Sequence, residues 1–325
     1  MELLLSIVVP VYNVESFLEE CIHSIERIKT PKEVICIDDG STDHSLLKLR
    51  QLAEQYNDIV VIEQENSGVS KARNHGISIA KGKFICFFDS DDMVIAETID
   101  RAVHLLVDEN LDCVAFDYQN VNENCRYQDC KIRQNAMFSY DLTNLYSGST
   151  VWKIVMKKEI IDAQDLRFID LRYGEDSCFR MHFNAYCTKA ATTSMVGYLY
   201  RKRSTSVMHN KDRDMTWFNN SIKEALYMDW LQTISSDGTY KSHCRRKKQL
   251  ATLNAMTIGI MVPEYSAEWV IDELKKNGLF PFTPFWKLLK PNGSSTILNY
   301  LRFGFFSKTY YKLFFKIIRK IRHIK

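Results

Sequence analysis

Clusters of acidic side chains come directly after two of the most apolar segments of the chain. The run at 84–88 is followed by Asp-Ser-Asp-Asp at 89–92, and the run at 33–37 is followed by an Asp-Asp pair at 38–39. Carboxylates in such numbers repel one another unless cations lie between them. Mg²⁺ and Mn²⁺ prefer oxygen ligands, and they combine one or two protein carboxylates with phosphates and water. The pair Asp89 and Asp91 therefore predicts a site for a divalent metal and a phosphate compound.

Two further groups of charged residues could take part in the same chemistry. Lys71 and Arg73 follow the third apolar run and could neutralise phosphate oxygens, although a solvated helix face would explain them as well. Glu175 and Asp176 open a helix-like stretch, where one carboxylate could act as a general base. Acids are also favoured at a helix N-terminus for capping alone, so both explanations stay open from the residues themselves.

The elements that must position these residues alternate regularly over the first 120 residues. Apolar runs predict strands at 5–11, 33–37, 59–63, 83–88 and 112–118, and helical spacing predicts helices near 15–28, 43–56, 69–81 and 95–109. Such alternation is typical of βαβ units in an α/β protein with a mostly parallel sheet. Because ligands bind outside the carboxyl ends of such strands, the polar groups after each strand should converge. The sequence has neither the glycine pattern of a dinucleotide site nor that of a P-loop, so a nucleotide would have to be recognised by side chains.

The composition of the 325 residues is that of a globular protein, but the charge is unevenly distributed. After Glu273 the chain has twelve Lys or Arg and no acid, although the whole chain has a formal charge of only +3. On a helical wheel of 308–325, apolar residues share one face and basic residues the other, which is typical of a helix lying on an anionic membrane surface. The alternative is a helix packed on protein, whereas a nucleic-acid partner would leave the apolar face without a role. No apolar run reaches the ~18 residues needed to span a bilayer, and the N-terminus reads as a strand, not a signal peptide.

Six segments in order resemble the family 2 glycosyltransferases with a GT-A-type fold, especially bacterial enzymes of capsular or surface polysaccharide assembly. They are SIVVPVYN (6–13), ICIDDGSTD (35–43), NSGVSKARNHGI (66–77), AKGKFICFFDSDD (80–92), GEDSCF (174–179) and YLYRKRSTSVMH (198–209). The resemblance implies a GT-A-like catalytic domain over 1–215, with a mostly parallel central sheet flanked by helices. Its nucleotide-sugar half would span about 1–120 and its acceptor half about 120–215. Residues 216–325 would form a helical C-terminal extension ending in the basic amphipathic tail.

The resemblance also implies roles for individual residues. The nucleotide-sugar would be bound by side chains after the strands and in the later arginine-rich segment: Pro10, Tyr12, Asp39, Lys71, Arg73, Asp89, Arg201 and Arg203. A Mn²⁺ or Mg²⁺ ion bridging the diphosphate would be held by Asp91, Asp89, Asp92 and His209. Asp176 would be the catalytic base, with Glu175 beside it.

The function implied is inverting transfer of a sugar from a nucleotide-diphosphate donor, expected to be a UDP-sugar, to a hydroxyl of a lipid-linked glycan. The enzyme would work in the cytoplasm, peripherally on the inner face of the membrane. A metal-dependent phosphatase built on Asp89 and Asp91 is the alternative enzyme, but it usually has Thr or Val where Met93 stands and gives the pair at 38–39 no role. A degenerate transferase acting as a membrane-bound assembly subunit is the non-enzyme alternative, and the intact acids argue against it.

Overall fold

The computed structural model describes residues 2–133, 137–203, 214–262, 264–280 and 316. These residues divide into two compact units. The first unit contains the described residues up to Asp170 together with 175–203, and the second contains 171–174 and the described residues from Asp214 onwards. The predicted membrane-binding tail and His209 lie outside the described residues, apart from Lys316.

The first unit is a central sheet with helices. Its strands are β1 (Leu5–Val11), β2 (Lys32–Asp38), β3 (Ile59–Glu63), β4 (Phe84–Phe87), β5 (Met93–Val94), β6 (Cys113–Asn122), β7 (Phe138–Ser139), β8 (Ile154–Lys157) and β9 (Ala190–Lys202). Its helices are α1 (Leu18–Glu26), α2 (Ser45–Gln55), α3 (Val69–Ile79), α4 (Ala96–Asp108), α5 (Leu142–Tyr146), α6 (Lys158–Ala163) and α7 (Glu175–Asn184). A short 3₁₀ turn spans Tyr127–Asp129.

The strand order is β3-β2-β1-β4-β8-β6-β9-β5, with β7 paired to β9. The strands β3, β2, β1 and β4 are parallel, as the sequence predicts, and β6 is parallel to β9. The remaining pairs are antiparallel, so the whole sheet is mixed. Because Val8 pairs with both Ile35 and Phe87, the carboxyl ends of β1, β2 and β4 lie side by side at one edge.

Both faces of the parallel strands are covered, which explains why their sequences are almost continuously apolar. Alternate residues of β1 enter different cores: Ile7 packs in a cluster with Ile22 of α1, whereas Val8 packs with Ala72 of α3. Gly76 of α3 makes this packing possible, because a Cβ there would lie 2.4 Å from a methyl group of Val8. The tight contact holds α3, and with it the predicted phosphate-binding segment, against the sheet.

The second unit is helical, with α8 (Met215–Ile234), α9 (Gly238–Met261) and α10 (Ala267–Lys276). Each helix begins at a residue whose side chain accepts hydrogen bonds from the first turn, namely Asp214, Asp237 and Ser266. Among the helices that the structure describes, none has the length and hydrophobicity required to cross a bilayer.

Candidate active site

The loops after β1 and β2 are tied together at the sheet edge. Asn13 follows β1 with a left-handed backbone (φ 51°), and its side-chain oxygen accepts a hydrogen bond of 2.8 Å from the Thr42 amide. The preceding Tyr12 is 49% exposed, as a residue that stacks on a ligand ring must be. Pro10 is buried within β1. Of these two residues predicted to bind the nucleotide-sugar, Tyr12 is thus the one exposed to solvent.

The two aspartates after β2 have different partners. Asp39 Oδ1 accepts a hydrogen bond from the Ser67 amide (2.9 Å) and Oδ2 accepts one from the Gly68 amide (2.8 Å), so Asp39 fixes the loop that leads into α3. Gly68 has φ +91°, a conformation that favours glycine. Asp38 is also buried, but its Oδ1 has no hydrogen-bond partner. The resemblance implies a nucleotide-binding role for Asp39, whereas the acceptor without a partner belongs to Asp38.

Arg73 connects the two predicted halves of the site. Its side chain is 4% exposed, and Nη2 donates to Asp89 Oδ1 at 2.9 Å. Its Nη1 donates to Glu175 Oε1 at 3.0 Å and to Asp176 Oδ1 at 2.7 Å. One buried guanidinium therefore joins the carboxyl end of β4 to the first turn of α7. The contact expected from the resemblance was with the nucleotide base or diphosphate; the contacts observed are with the predicted base and metal ligand.

The electrostatics around Asp176 suit a proton acceptor at neutral pH. Burial raises the pKa of Asp176 to about 7, with the nearby Glu175 and Asp89 carboxylates adding to the rise and Arg73 opposing it. A general base works best when its pKa lies near the working pH. The backbone amide of Val151 lies 3.5 Å from Asp176 Oδ2, so the carboxylate also faces the segment before β8.

A pH profile should reveal this ionisation. Because a general base must be deprotonated, we expect kcat/KM to rise with pH through about 7 and to level off above it. Below the plateau, the rate should fall about tenfold for each pH unit. Initial rates at saturating metal, measured from pH 5 to 9, would show this rise. A rate that stays constant between pH 5.5 and 8 would contradict the assignment of Asp176.

The three acids after β4 are not equivalent. Asp91 Oδ2 forms an ion pair of 2.6 Å with Arg203 Nη2, and burial together with Asp89 raises the pKa of Asp91. Asp92 is 2% exposed, and its oxygens accept hydrogen bonds from the Tyr198 hydroxyl (2.7 Å) and the Arg201 amide (2.6 Å). Asp92 therefore fixes the end of β9 beside β4, and this geometry favours a positioning role over the metal-ligand role expected from the resemblance.

Asp89 and Asp91 have the chemistry required to bind a divalent metal. Both are carboxylates of one loop, two positions apart, and each pairs with an arginine through one oxygen. Their mutual repulsion would be relieved by a cation. Within the described ranges no three His, Cys, Asp or Glu side chains form a metal-binding group. Two carboxylates are nevertheless the usual protein contribution to a Mg²⁺ site, which is completed by phosphates and water.

The predicted cationic residues also differ in availability. Arg201 is buried and donates to the backbone oxygens of Asp91 (2.9 Å) and Glu123 (2.7 Å) and to the Glu20 carboxylate (2.9 Å). Arg201 thus fastens the acidic loop, a role that its sequence position did not indicate. Arg203 is 23% exposed beside Asp91, and Lys71 is exposed on α3, so these two are placed to meet an anionic ligand.

Comparisons with known proteins show the family of the chain. The model of glycosyl transferase family 2 matches residues 6–152. The glycosyltransferase GlyG of Streptococcus pneumoniae serotype 4 is 30% identical over 243 residues, which cover 69% of this chain and 78% of that protein.

Solved structures share the fold at low sequence identity. S. aureus TarS 1-349 in complex with UDP-GlcNAc has a TM-score of 0.62 and 19% identity, covering 98% of this chain and 92% of that one. The mannosyltransferase PcManGT from Pyrobaculum calidifontis, in complex with GDP-Man and Mn²⁺, has a TM-score of 0.53 and 17% identity, covering 98% and 87%. From the matched motifs and the similarity to GlyG, we conclude that the chain belongs to glycosyltransferase family 2 and has a GT-A-like fold.

Proposed function

We propose that this glycosyltransferase moves a sugar from a UDP-sugar to an acceptor hydroxyl, with inversion at the anomeric carbon. The observation that carries the proposal is the position of Arg73, which binds Asp89 of the acidic loop and Asp176 of α7 at the same time. A donor diphosphate at the acidic loop and an acceptor hydroxyl at Asp176 would therefore be close together, because the same guanidinium contacts both places. Such proximity alone supplies a large part of a transfer reaction's rate enhancement.

The donor would bind along the ends of β1, β2 and β4. Tyr12 would stack on the nucleotide base, and the unpartnered oxygen of Asp38 would accept a hydrogen bond from the nucleoside. Lys71 and Arg203 would contact the diphosphate. The UDP-GlcNAc complex of the TarS structure supports a uridine donor as the first to test.

Asp89 and Asp91 would hold a Mn²⁺ or Mg²⁺ ion, which would supply positive charge to the departing diphosphate. The Mn²⁺ in the PcManGT complex supports this cofactor. With the donor bound, Asp176 would accept the proton of the acceptor hydroxyl as the new C–O bond forms and the bond to the diphosphate breaks. A single displacement of this kind inverts the anomeric configuration.

The test is release of nucleoside diphosphate in a panel of nucleotide-sugars, with and without Mn²⁺. Thermal unfolding of the same mixtures would identify the donor, because a bound ligand raises the unfolding temperature by mass action. Release of UDP, with no inorganic phosphate, would support transfer. A parallel assay with a phosphate monoester, p-nitrophenyl phosphate, tests the alternatives. Release of inorganic phosphate from it, with no UDP from any nucleotide-sugar, would favour the phosphatase alternative, and no turnover of either kind of substrate would favour the inactive assembly subunit.

The acceptor is proposed to be a lipid-linked glycan of surface polysaccharide assembly, met at the inner face of the membrane. The basic tail supports this location, because each Lys or Arg near an anionic surface contributes about 1 kcal/mol of binding free energy. The chain has no acid after Glu273 to oppose that attraction.

Deletion of residues 303–325 should release the protein from anionic vesicles while leaving hydrolysis of the nucleotide-sugar unchanged. Sedimentation with phosphatidylserine vesicles would measure binding, with neutral vesicles and rising salt as controls, since salt screens exposed charges. A full-length protein that ignores anionic vesicles at low salt would contradict the membrane role of the tail.

A further inference from the structure

A cavity of about 420 Å³ lies in the first unit, and the residues that line it lie outside β1, β2 and β4. It forms where β6 and β9 lose register: Ala115 pairs with Thr192, but Asp117 pairs with Val196, so β9 contributes two extra residues. Hydroxyl and amide side chains line the cavity, namely Ser139, Asn144, Ser147, Thr192, Thr193 and Ser194. Ser147 and Thr192 already donate to backbone carbonyls, whereas the hydroxyls of Ser139, Thr193 and Ser194 act as acceptors in their described contacts, so their hydrogens can be donated to a polar ligand.

Arg180 of α7 lines this cavity and is 1% exposed. Its Nη1 donates to the Thr150 carbonyl at 2.7 Å, but its Nε is buried without a partner, and within the described residues it forms no ion pair with a carboxylate. The guanidinium lies on the backbone of Gly148, where a Cβ would approach its Cζ to 2.5 Å. The fold thus makes room for a buried cation that forms no ion pair of its own within the described residues, and the carboxylate that attracts it, Asp176, is already paired with Arg73.

Lys153 supplies a second cation to the same cavity. Burial lowers the pKa of Lys153, and the Arg180 charge lowers it further. The nearest balancing carboxylate, Asp117, is 41% exposed, pairs with Arg133 at 3.4 Å and accepts a hydrogen bond from the Tyr118 amide. Lys153 is thus attracted by Asp117 and Arg180 by Asp176, and each of these two carboxylates already pairs with another arginine. Buried charge of this kind is unfavourable unless an opposite charge is present for part of the time.

The cavity is connected to the candidate base by two routes. Asp176 and Arg180 are four residues apart on α7, which places their side chains on one face of the helix, roughly 5–6 Å apart at Cβ. The segment before β8 also bridges them, because Val151 faces Asp176 and the preceding Thr150 carbonyl accepts from Arg180. A group bound at Arg180 would therefore lie about one helical turn from the hydroxyl that Asp176 activates.

We propose that the cavity lined by Arg180 and Lys153 binds a phosphate group of the acceptor, so that the enzyme selects acceptors carrying phosphate close to the reacting hydroxyl. This inference rests on the proposed function for its acceptor side. The planar guanidinium offers paired N–H donors that match phosphate oxygens, and the lysine and hydroxyl groups complete the set. A role for Arg180 limited to the charge of Asp176 would require neither Lys153 nor the polar wall.

Phosphate binding to the purified full-length protein tests the site. Inorganic phosphate, glycerol 3-phosphate and glycerol would be titrated by calorimetry into wild type and four variants: Lys153→Met, Arg180→Gln, Lys189→Met and Asp91→Asn. Lys189 is exposed and does not line the cavity, so Lys189→Met is the matched control for loss of one positive charge. Asp91→Asn removes the acid paired with Arg203, so the affinity for phosphate bound at the proposed donor site would change in this variant, whereas phosphate in the cavity would be unaffected.

Both phosphate compounds should bind wild type, Lys189→Met and Asp91→Asn alike, whereas Lys153→Met and Arg180→Gln should bind at least about tenfold more weakly, the loss of one charge-assisted contact. Glycerol 3-phosphate should bind more tightly than inorganic phosphate, and glycerol should not bind. Equal affinity for the two phosphates would assign the cavity to free phosphate and overturn the acceptor role. A phosphate affinity that changes only in Asp91→Asn, or that is unchanged in both cavity variants, would overturn the site itself.

If Arg180→Gln does not fold, the phosphate affinity of Lys153→Met still tests the site, because Lys153 is more exposed than Arg180. The result is also independent of the donor assay. Phosphate binding with no turnover by any nucleotide-sugar would contradict the proposed function alone, and turnover without phosphate binding would contradict this inference alone.

Discussion

Replacement of Asp91 by Asn is expected to abolish sugar transfer and to leave the fold intact. The proposed metal supplies several kcal/mol of transition-state stabilisation, so kcat should fall by roughly 10³-fold or more. The fold should survive because Asp91 is paired through one oxygen with Arg203, near solvent, and relief of repulsion with Asp89 offsets that loss. Product release at saturating Mn²⁺ and thermal unfolding would measure the two effects.

The matched control is Asp108→Asn, an equivalent change at an exposed acid at the end of α4, which should leave turnover unchanged. Chelation of the wild type should reproduce the loss, and added Mn²⁺ should reverse it. Undiminished transfer in excess chelator would remove the metal from the mechanism. Asp92→Asn should behave differently, because its oxygens hold Tyr198 and Arg201, and its main effect should be a lower unfolding temperature.

Replacement of Asp176 by Asn should lower kcat by about 10²- to 10⁴-fold, the usual contribution of a general base. Donor affinity should barely change, because Tyr12, Asp38 and the acidic loop would still hold the donor. The rise of the rate with pH near 7 should also disappear, since Asn does not ionise. Single-turnover rates and donor titration would separate the two effects.

The same substitution distinguishes catalysis from helix capping. Asp176 is the second residue of α7, where an acid stabilises the helix by at most about 1 kcal/mol, so an Asp176 that served only this purpose would tolerate Asn without loss of kcat. Asp141, whose side chain accepts a 2.8 Å hydrogen bond from the Thr143 amide at the start of α5, is a structural cap and the appropriate control. Asp141→Asn should leave kcat unchanged. A near-normal kcat for Asp176→Asn would assign Asp176 to the same class and leave the base unidentified.

The sheet could be predicted well where a single segment carries the whole signal. The apolar runs at 5–11 and 59–63 are strands with those bounds, and the predicted helices at 43–56 and 95–109 are α2 and α4 with ends one or two residues shorter. Four-residue β8 was missed, because its type is decided by its antiparallel partners β4 and β6 and not by its own sequence. The helix α10 was missed although its apolar residues recur at helical spacing.

The roles of buried charges were less predictable, because they depend on partners far along the chain. Arg73 meets carboxylates 16, 102 and 103 residues away, and Arg201 meets one 181 residues away. A motif identifies such residues as important without indicating what they contact. The same limit hid Arg180, which is buried and forms no ion pair among the described residues, a property that its sequence position does not indicate.

The contacts of Arg73 also restrict how this enzyme can be recombined with its relatives. The residue lies in the predicted donor half together with Asp89, whereas its other two carboxylate partners come from the predicted acceptor half. A hybrid that exchanges the two halves between family members would leave Arg73 with Asp89 alone, unless the incoming half brings acids at the start of its equivalent of α7. Donor and acceptor specificity are therefore expected to be exchangeable only between relatives that share this ionic connection.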